Sequence, residues 1–242
     1  AGGTGAHVAV VAAASTDPVS VSAEYVTAFR GLGAAHVEAL RVQCRADGAN
    51  DTITRILAGA TGVYFTGGDQ DRLVDLLCDT PAAALLHTRL SAGLVLAGTS
   101  AGAAAMSDPM LTGGRDTGVR TSSVRLHRGL GFLPGLLVDM HFHARGRADR
   151  LLSGTAMVPD SVGMGVDEDT AAVVRDDQVE VVGSGAVTVV DVGAAGDVHV
   201  PAEGDGPIAL GDAHLYVVPA GWAFDLSARR LRRAAAGALS SR

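Results

Sequence analysis

No lysine occurs anywhere in this chain, so all 19 of its basic side chains are arginine. Imine chemistry through a lysine amine is thereby excluded, because a guanidinium stays protonated and is no nucleophile. Aromatic residues are also scarce, 4% against 48% hydrophobic residues, so burial falls mainly to Ala, Val and Leu; the 32 glycines imply tight turns and close backbone approaches. The two cysteines, Cys44 and Cys78, form no spaced framework, which removes a disulfide scaffold and a cysteine-rich metal site and suits a reducing compartment. No apolar run approaches the ~18 to 20 residues of a membrane span, and no basic segment leads into an apolar one at the N-terminus. The chain therefore reads as soluble and cytoplasmic, with no membrane partner. A net charge of −7 leaves no general basic face for nucleic acid.

What is present is an alternation of strands and helices, expected to form a single α/β domain over residues 1–242. His7 to Ala14 is a short valine-rich run that reads as a buried strand. Ser20 to Leu32 follows with helical spacing of Val21, Tyr25, Val26, Phe29 and Leu32. Ala35 to Val42 reads as a strand, Asp51 to Ala58 as a helix capped by its Asp, and Gly62 onward as a strand ending in Gly67-Gly68. Helices at Asp71 to Cys78 and Leu85 to Ser91 precede a strand at Ala92 to Ala97. Such alternation implies a mostly parallel sheet with helices on both faces, whose ligands sit at the carboxyl ends of strands. The second half is richer in turns and hairpins: Val173 to Val192 reads as two strands around Gly183-Ser-Gly185, and Leu215 to Pro219 as another.

The two glycine turns fall at strand ends, and the second is Gly98-Thr-Ser-Ala-Gly102. A strand running through G-x-S-x-G into a helix is the layout of a nucleophile elbow, in which Ser100 would sit on a sharp turn that only small neighbours permit. The amide of Ala101, and that of Gly68 on the neighbouring strand end, could then stabilise an oxyanion. The same glycines and alanines could equally serve strand–helix packing. A serine needs an imidazole to take its proton and a carboxylate to orient that imidazole. Of the eight histidines, His141 and His143 stand out, spaced by two on a strand-like face beside Asp139, Arg145, Arg147 and Arg150. A metal at this pair needs further ligands, such as Asp139, and no His-x-x-x-His spacing occurs.

Five segments in order, Phe65-Thr-Gly-Gly-Asp-Gln70, Gly98 to Asp108, Gly129 to Gly135, Asp139-Met-His-Phe-His-Ala-Arg-Gly-Arg147 and Gly165 to Ala171, resemble cyanophycinase and related serine peptidases, the group that includes the aspartyl dipeptidases. The resemblance implies a flavodoxin-like sheet akin to class I glutamine amidotransferases, no metal or organic cofactor, and hydrolysis of peptide bonds made through aspartate. Residue by residue it puts Ser100 on the nucleophile, His141 on the general base and Glu168 on its orienting acid. Gly68 and Ala101 match oxyanion donors, and Asp69, Gln70, Asp139, Arg145, Arg147 and Arg150 match positions lining the substrate pocket.

The chain departs from the family at Met140, where a glutamine is usual, and at Val74, where a lysine is usual; both changes put the polymer substrate in doubt while leaving the triad intact. A short strand expected before His7 is also absent from this sequence, which would leave a sheet edge open or covered by a partner chain. The expectation is a serine hydrolase acting on a small β-aspartyl peptide or related amide, as a homodimer. The alternatives are a binding module that has lost turnover and an acyl transferase that uses the same acyl-enzyme.

Overall fold

The computed structural model describes residues 1–114, 118–193 and 197–234. Its residues gather into two compact units, Ala1–Met110 with His127–Pro134, and Leu111–Leu126 with Gly135–Arg242. The first unit contains β1 (His7–Val11), α1 (Pro18–Gly31), β2 (His36–Leu40), α2 (Asp51–Gly59), β3 (Gly62–Phe65), α3 (Gln70–Leu77), α4 (Pro81–Ser91), β4 (Val95–Gly98) and the short α5 (Ala101–Ala104). Its four strands form one parallel sheet in the order β2-β1-β3-β4.

The alternation of side chains along β1, both of whose faces are covered, explains why that strand is apolar from Val8 to Val11. Val8 and Val10 face a cluster with Val37, against which Tyr25, Val26 and Phe29 of α1 pack. Ala9 and Val11 face the opposite cluster, which holds Leu57 of α2, Leu73 and Leu77 of α3 and Leu86 of α4. Helices thus cover both faces of this sheet. The strand is shorter than its sequence suggests: Ala12–Ala14 leave the ladder in a turn closed by the Ser15 N–H on the Ala12 carbonyl at 3.0 Å.

Local chemistry sets the helix starts. Asp17 caps α1 through the Ser20 amide at 3.1 Å, with Pro18 at the first helical position. The cap of α2 is Asn50, whose Oδ1 accepts the amides of Thr52 and Ile53, and not Asp51, which is already inside the first turn. Among the described residues, no helix is long and apolar enough to cross a membrane.

β5 (Met110–Thr112) and β6 (Arg125–His127) form a two-stranded ribbon. In the second unit, β7 (Leu136–Met140), α6 (Ala148–Met157) and β8 (Val162–Val166) make a crossover with β7 and β8 parallel. The rest of this unit is antiparallel. β9 (Thr170–Arg175), β10 (Gln178–Gly183), β11 (Ala186–Asp191), the pair β12 (Val198–His199) and β13 (Ala209–Leu210), β14 (His214–Pro219), β15 (Trp222–Asp225) and β16 (Arg230–Arg233) complete it. Two four-stranded sheets result, β14-β11-β8-β7 and β16-β15-β10-β9. Where two strands are expected around Gly183–Gly185 there are three. A hairpin turns at Asp176-Asp177, with Arg175 paired to Gln178 and Asp176 at φ 49, while β10 and β11 on either side of Gly183–Gly185 belong to different sheets. Aspartate tolerates that left-handed position, so the turn needs no glycine to announce it.

Candidate functional site

In the first unit, β4 delivers the chain to Ser100, whose backbone adopts φ 50 and ψ −118 before α5 begins at Ala101. A non-glycine residue in this region is strained, and such strain persists only where the surroundings hold it. The surroundings are Gly98 and Gly102. A Cβ on Gly98 would lie 2.5 Å from the Gly102 carbonyl, and one on Gly102 would run into the backbone carbonyl of Phe65 on β3. Both glycines are thus required by the crossing of strand and turn. Replacing Gly102 by alanine is expected to destabilise the protein by about 1–3 kcal/mol, read as a lowered urea midpoint; an unchanged midpoint would mean that the turn yields freely.

Gly67 and Gly68 end β3 beside this elbow. A Cβ built on Gly67 would sit 3.4 Å from Ser100 Cβ, and Gly68, at φ 139, packs so closely on the Ala14 carbonyl that no side chain fits. The turn therefore brings the Gly67-Gly68 backbone alongside the serine, as an oxyanion donor at Gly68 would require. Because α5 is only four residues long, any help to an oxyanion comes from the single N–H of Ala101 and not from a helix dipole. Asp69 caps α3, its Oδ1 accepting the amides of Asp71 at 2.9 Å and Arg72 at 3.3 Å. Gln70 is the first residue of that helix and half-buried. Val74 is a buried member of the core beneath α3, so packing accounts for its apolar character.

In the second unit, β7 ends at Met140 and the chain turns at His141, which adopts φ 52. His141 and His143 accordingly lie in a loop, not on the strand-like face their spacing suggested. His141 Nδ1 lies 2.6 Å from Glu168 Oε1, with the imidazole 27% and the glutamate side chain 58% exposed. The loop is pinned from several sides. The buried Phe142 ring fills the space left by Gly165 on β8, and its N–H donates to the Val166 carbonyl at 3.2 Å. The His143 N–H donates to Asp167 Oδ1 at 3.0 Å. Nothing in the sequence singled out Phe142 or Asp167 for this task, since their partners are backbone groups brought near by strand pairing.

Asp139, Arg147 and Arg150 meet in a buried ion triad. Asp139 is fully buried and accepts from Arg147 Nη1 through Oδ1 and from Arg150 Nε through Oδ2, both at 2.9 Å. Burial pushes the Asp139 carboxyl above the usual carboxylate range, and the two guanidiniums and the Met140 amide oppose that shift. Arg147 Nη1 also donates to the Met140 carbonyl at 2.7 Å and lies 3.0 Å from the Met140 sulfur. Arg150 Nη1 donates to the Gly113 carbonyl at 2.6 Å. Of the arginines expected at a substrate pocket, Arg145 is exposed, whereas Arg147 and Arg150 are buried with Asp139.

A cavity of about 670 Å³ in the first unit lies elsewhere, lined by Cys78, Asp79, His87, Asp108 and Arg128 among others. Its polar groups are paired with one another. Arg128 grips Asp79 through two 2.6 Å bonds, His87 Nε2 lies 2.9 Å from the Leu130 carbonyl, and the Gly129 N–H donates to Asp108. Among the described residues, no group of three or more His, Cys, Asp or Glu is placed to hold a metal ion.

The model of peptidase family S51 matches residues 1–182. The chain is 41% identical over 175 residues to cyanophycinases of Trichormus variabilis and a Nostoc species, an alignment covering 72% of this chain and 59% of each relative. A cyanophycinase of Geminocystis herdmanii matches at the same identity, with 64% of its length covered. The chain thus spans about three-fifths of the length of these relatives. Among solved structures, a peptidase from an acI-B1 Actinobacterium superposes with a TM-score of 0.57 at 23% identity, covering 86% of this chain and 83% of that one. A protein assigned to peptidase E from Listeria monocytogenes gives 0.56 at 21% identity, with 74% and 87% covered. At these identities the structural likeness speaks for the fold.

Proposed function

We propose, from the premise that the chain belongs to peptidase family S51, that it is a serine peptidase in which Ser100 attacks the scissile carbonyl and water hydrolyses the resulting acyl-enzyme. The observation that carries this reading is the elbow, which holds Ser100 at φ 50 and ψ −118 through two glycines that admit no side chain. Holding a serine so costs about 1–3 kcal/mol, and strain of this kind clusters where a side chain is presented for function.

His141 is the general base in this reading and Glu168 its orienting acid. With Nδ1 directed at Glu168 Oε1, the imidazole proton sits on Nδ1, and Nε2 is the nitrogen that takes the serine proton and returns it to the leaving amine. The amides of Gly68 and Ala101 stabilise the oxyanion. The sheet order β2-β1-β3-β4 supports a flavodoxin-like core of the class I glutamine amidotransferase kind.

The substrate is a small β-aspartyl peptide or a related amide that carries a carboxylate. Support comes from the cyanophycinase relatives and from Arg145, whose exposed guanidinium suits bidentate contact with a carboxylate. Asp139, Arg147 and Arg150 serve this site as its buried support. A panel of β-aspartyl dipeptides, their α-linked isomers and cyanophycin, followed by mass spectrometry, tests the assignment; cleavage of none of them rejects it.

Glu168→Gln is expected to lower kcat by about 100-fold while KM moves by less than about threefold, because the acid orients the base and does not touch substrate. The loss stays below the roughly 10⁴-fold seen for a buried triad acid, since Glu168 is largely exposed and water substitutes in part. Steady-state kinetics on the cleaved peptide checks this; an unchanged kcat removes Glu168 from the triad.

A further inference from the structure

Asp167 takes no part in the chemistry above, yet its carboxylate joins the two loops that carry the histidine and the glutamate. Oδ1 accepts the His143 N–H at 3.0 Å, two residues beyond His141, and Oδ2 accepts the Ala186 N–H at 3.2 Å, at the start of β11. The Asp167 N–H donates in turn to the Ala186 carbonyl at 3.3 Å. Asp167 is thus fixed against β11 by a reciprocal pair, and the histidine loop hangs from its other oxygen. Glu168 comes next in the chain. Its carbonyl accepts from Thr170 Oγ1 at 2.8 Å, and that hydroxyl accepts the Gly185 N–H at 3.0 Å. Both partners of the 2.6 Å His141–Glu168 contact are therefore referenced to the backbone at Gly185 and Ala186.

We infer that Asp167 is a positioning residue, whose carboxylate staples the His143 amide to β11 and so sets the approach of His141 Nδ1 to Glu168 Oε1. The chemistry requires a carboxylate. Two N–H donors face the two oxygens, and an asparagine would offer one acceptor and turn an NH2 toward the other donor. Glu168 is exposed, so its side chain has no pocket of its own to hold it in register, and the staple supplies that register from the backbone. The kinetic consequence rests on the proposed triad; the effect on the imidazole does not.

The test uses Asp167→Asn and Asp167→Ala in the full chain, beside Glu168→Gln. In both Asp167 variants the His143 amide is expected to exchange with solvent at least about 10-fold faster, and the His141 ring resonances in ¹⁵N–¹H spectra are expected to move toward those of Glu168→Gln. Melting stays cooperative. On a cleaved substrate, kcat falls by about 10–100-fold, the scale found for groups that orient a metal-bound histidine. Asp167→Asn combined with Glu168→Gln is then little worse than Glu168→Gln alone, as two steps of one chain of contacts require. Unmoved His141 resonances, fully multiplicative losses of kcat, or global unfolding of Asp167→Asn would each overturn the inference. If the parent protein turns over no substrate, the catalytic reading fails, and the NMR and exchange measurements still decide the role of Asp167.

Discussion

Ser100→Ala is expected to abolish turnover, lowering kcat by about 10⁶-fold, while leaving the melting temperature within a few degrees of the parent. The first part follows from chemistry: without the hydroxyl no acyl-enzyme forms, and the imidazole and oxyanion donors cannot compensate. The second follows from the elbow. Its conformation is imposed by the contact of Gly98 with Gly102 and of Gly102 with Phe65, none of which involves the serine oxygen, and alanine retains the same Cβ. The pairing of the two outcomes matters, since lost activity with a lowered melting temperature would describe a damaged turn. Activity equal to the parent would place the nucleophile elsewhere.

Asp139→Ala is expected to cost about 3–5 kcal/mol of stability, a fall in melting temperature of roughly 6–20 °C for a chain of this length. Asp139 is fully buried and both of its oxygens are used, so its removal strands the Arg147 and Arg150 charges in the interior. The penalty arises from that isolation more than from the lost attraction. Replacing all three residues by leucine and methionine should therefore destabilise less than the single change. Urea titration of the single and triple variants checks both statements. A single variant within about 0.5 kcal/mol of the parent would show that water reaches the arginines.

The first unit was legible because each of its signals is local. The valine-rich run marks β1, helical spacing marks α1, and Gly98 and Gly102 flank the serine, so strand, helix and elbow follow from neighbours in sequence, although α1 and α4 open at Pro18 and Pro81, ahead of the expected starts at Ser20 and Leu85. The errors have the same origin. Asp51 mimics a cap because it is as good an acceptor as the adjacent Asn50, and the Asp176-Asp177 hairpin carries no glycine signal because aspartate can turn without it. In the second unit the decisive contacts join residues that only tertiary structure brings together. Arg147 and Arg150 read as substrate-pocket residues, since their partner Asp139 lies at the end of β7, across a loop with no helical or strand spacing. His141 looks strand-like for a related reason: its φ of 52 accompanies the packing of Phe142 on Gly165, a tertiary contact that no periodicity encodes. The resemblance to cyanophycinases supplied Glu168, whose 2.6 Å contact with His141 lies 27 residues along the chain.

Covalent trapping tests the central claim most directly. The purified protein is incubated with a serine-reactive fluorophosphonate, and the adduct is weighed intact and then mapped by peptide mass spectrometry. The account predicts one adduct per chain, located on Ser100, absent from Ser100→Ala and formed at least about 100-fold more slowly in His141→Ala. No adduct across neutral and mildly alkaline pH, or an adduct on another residue that persists in Ser100→Ala, would contradict it.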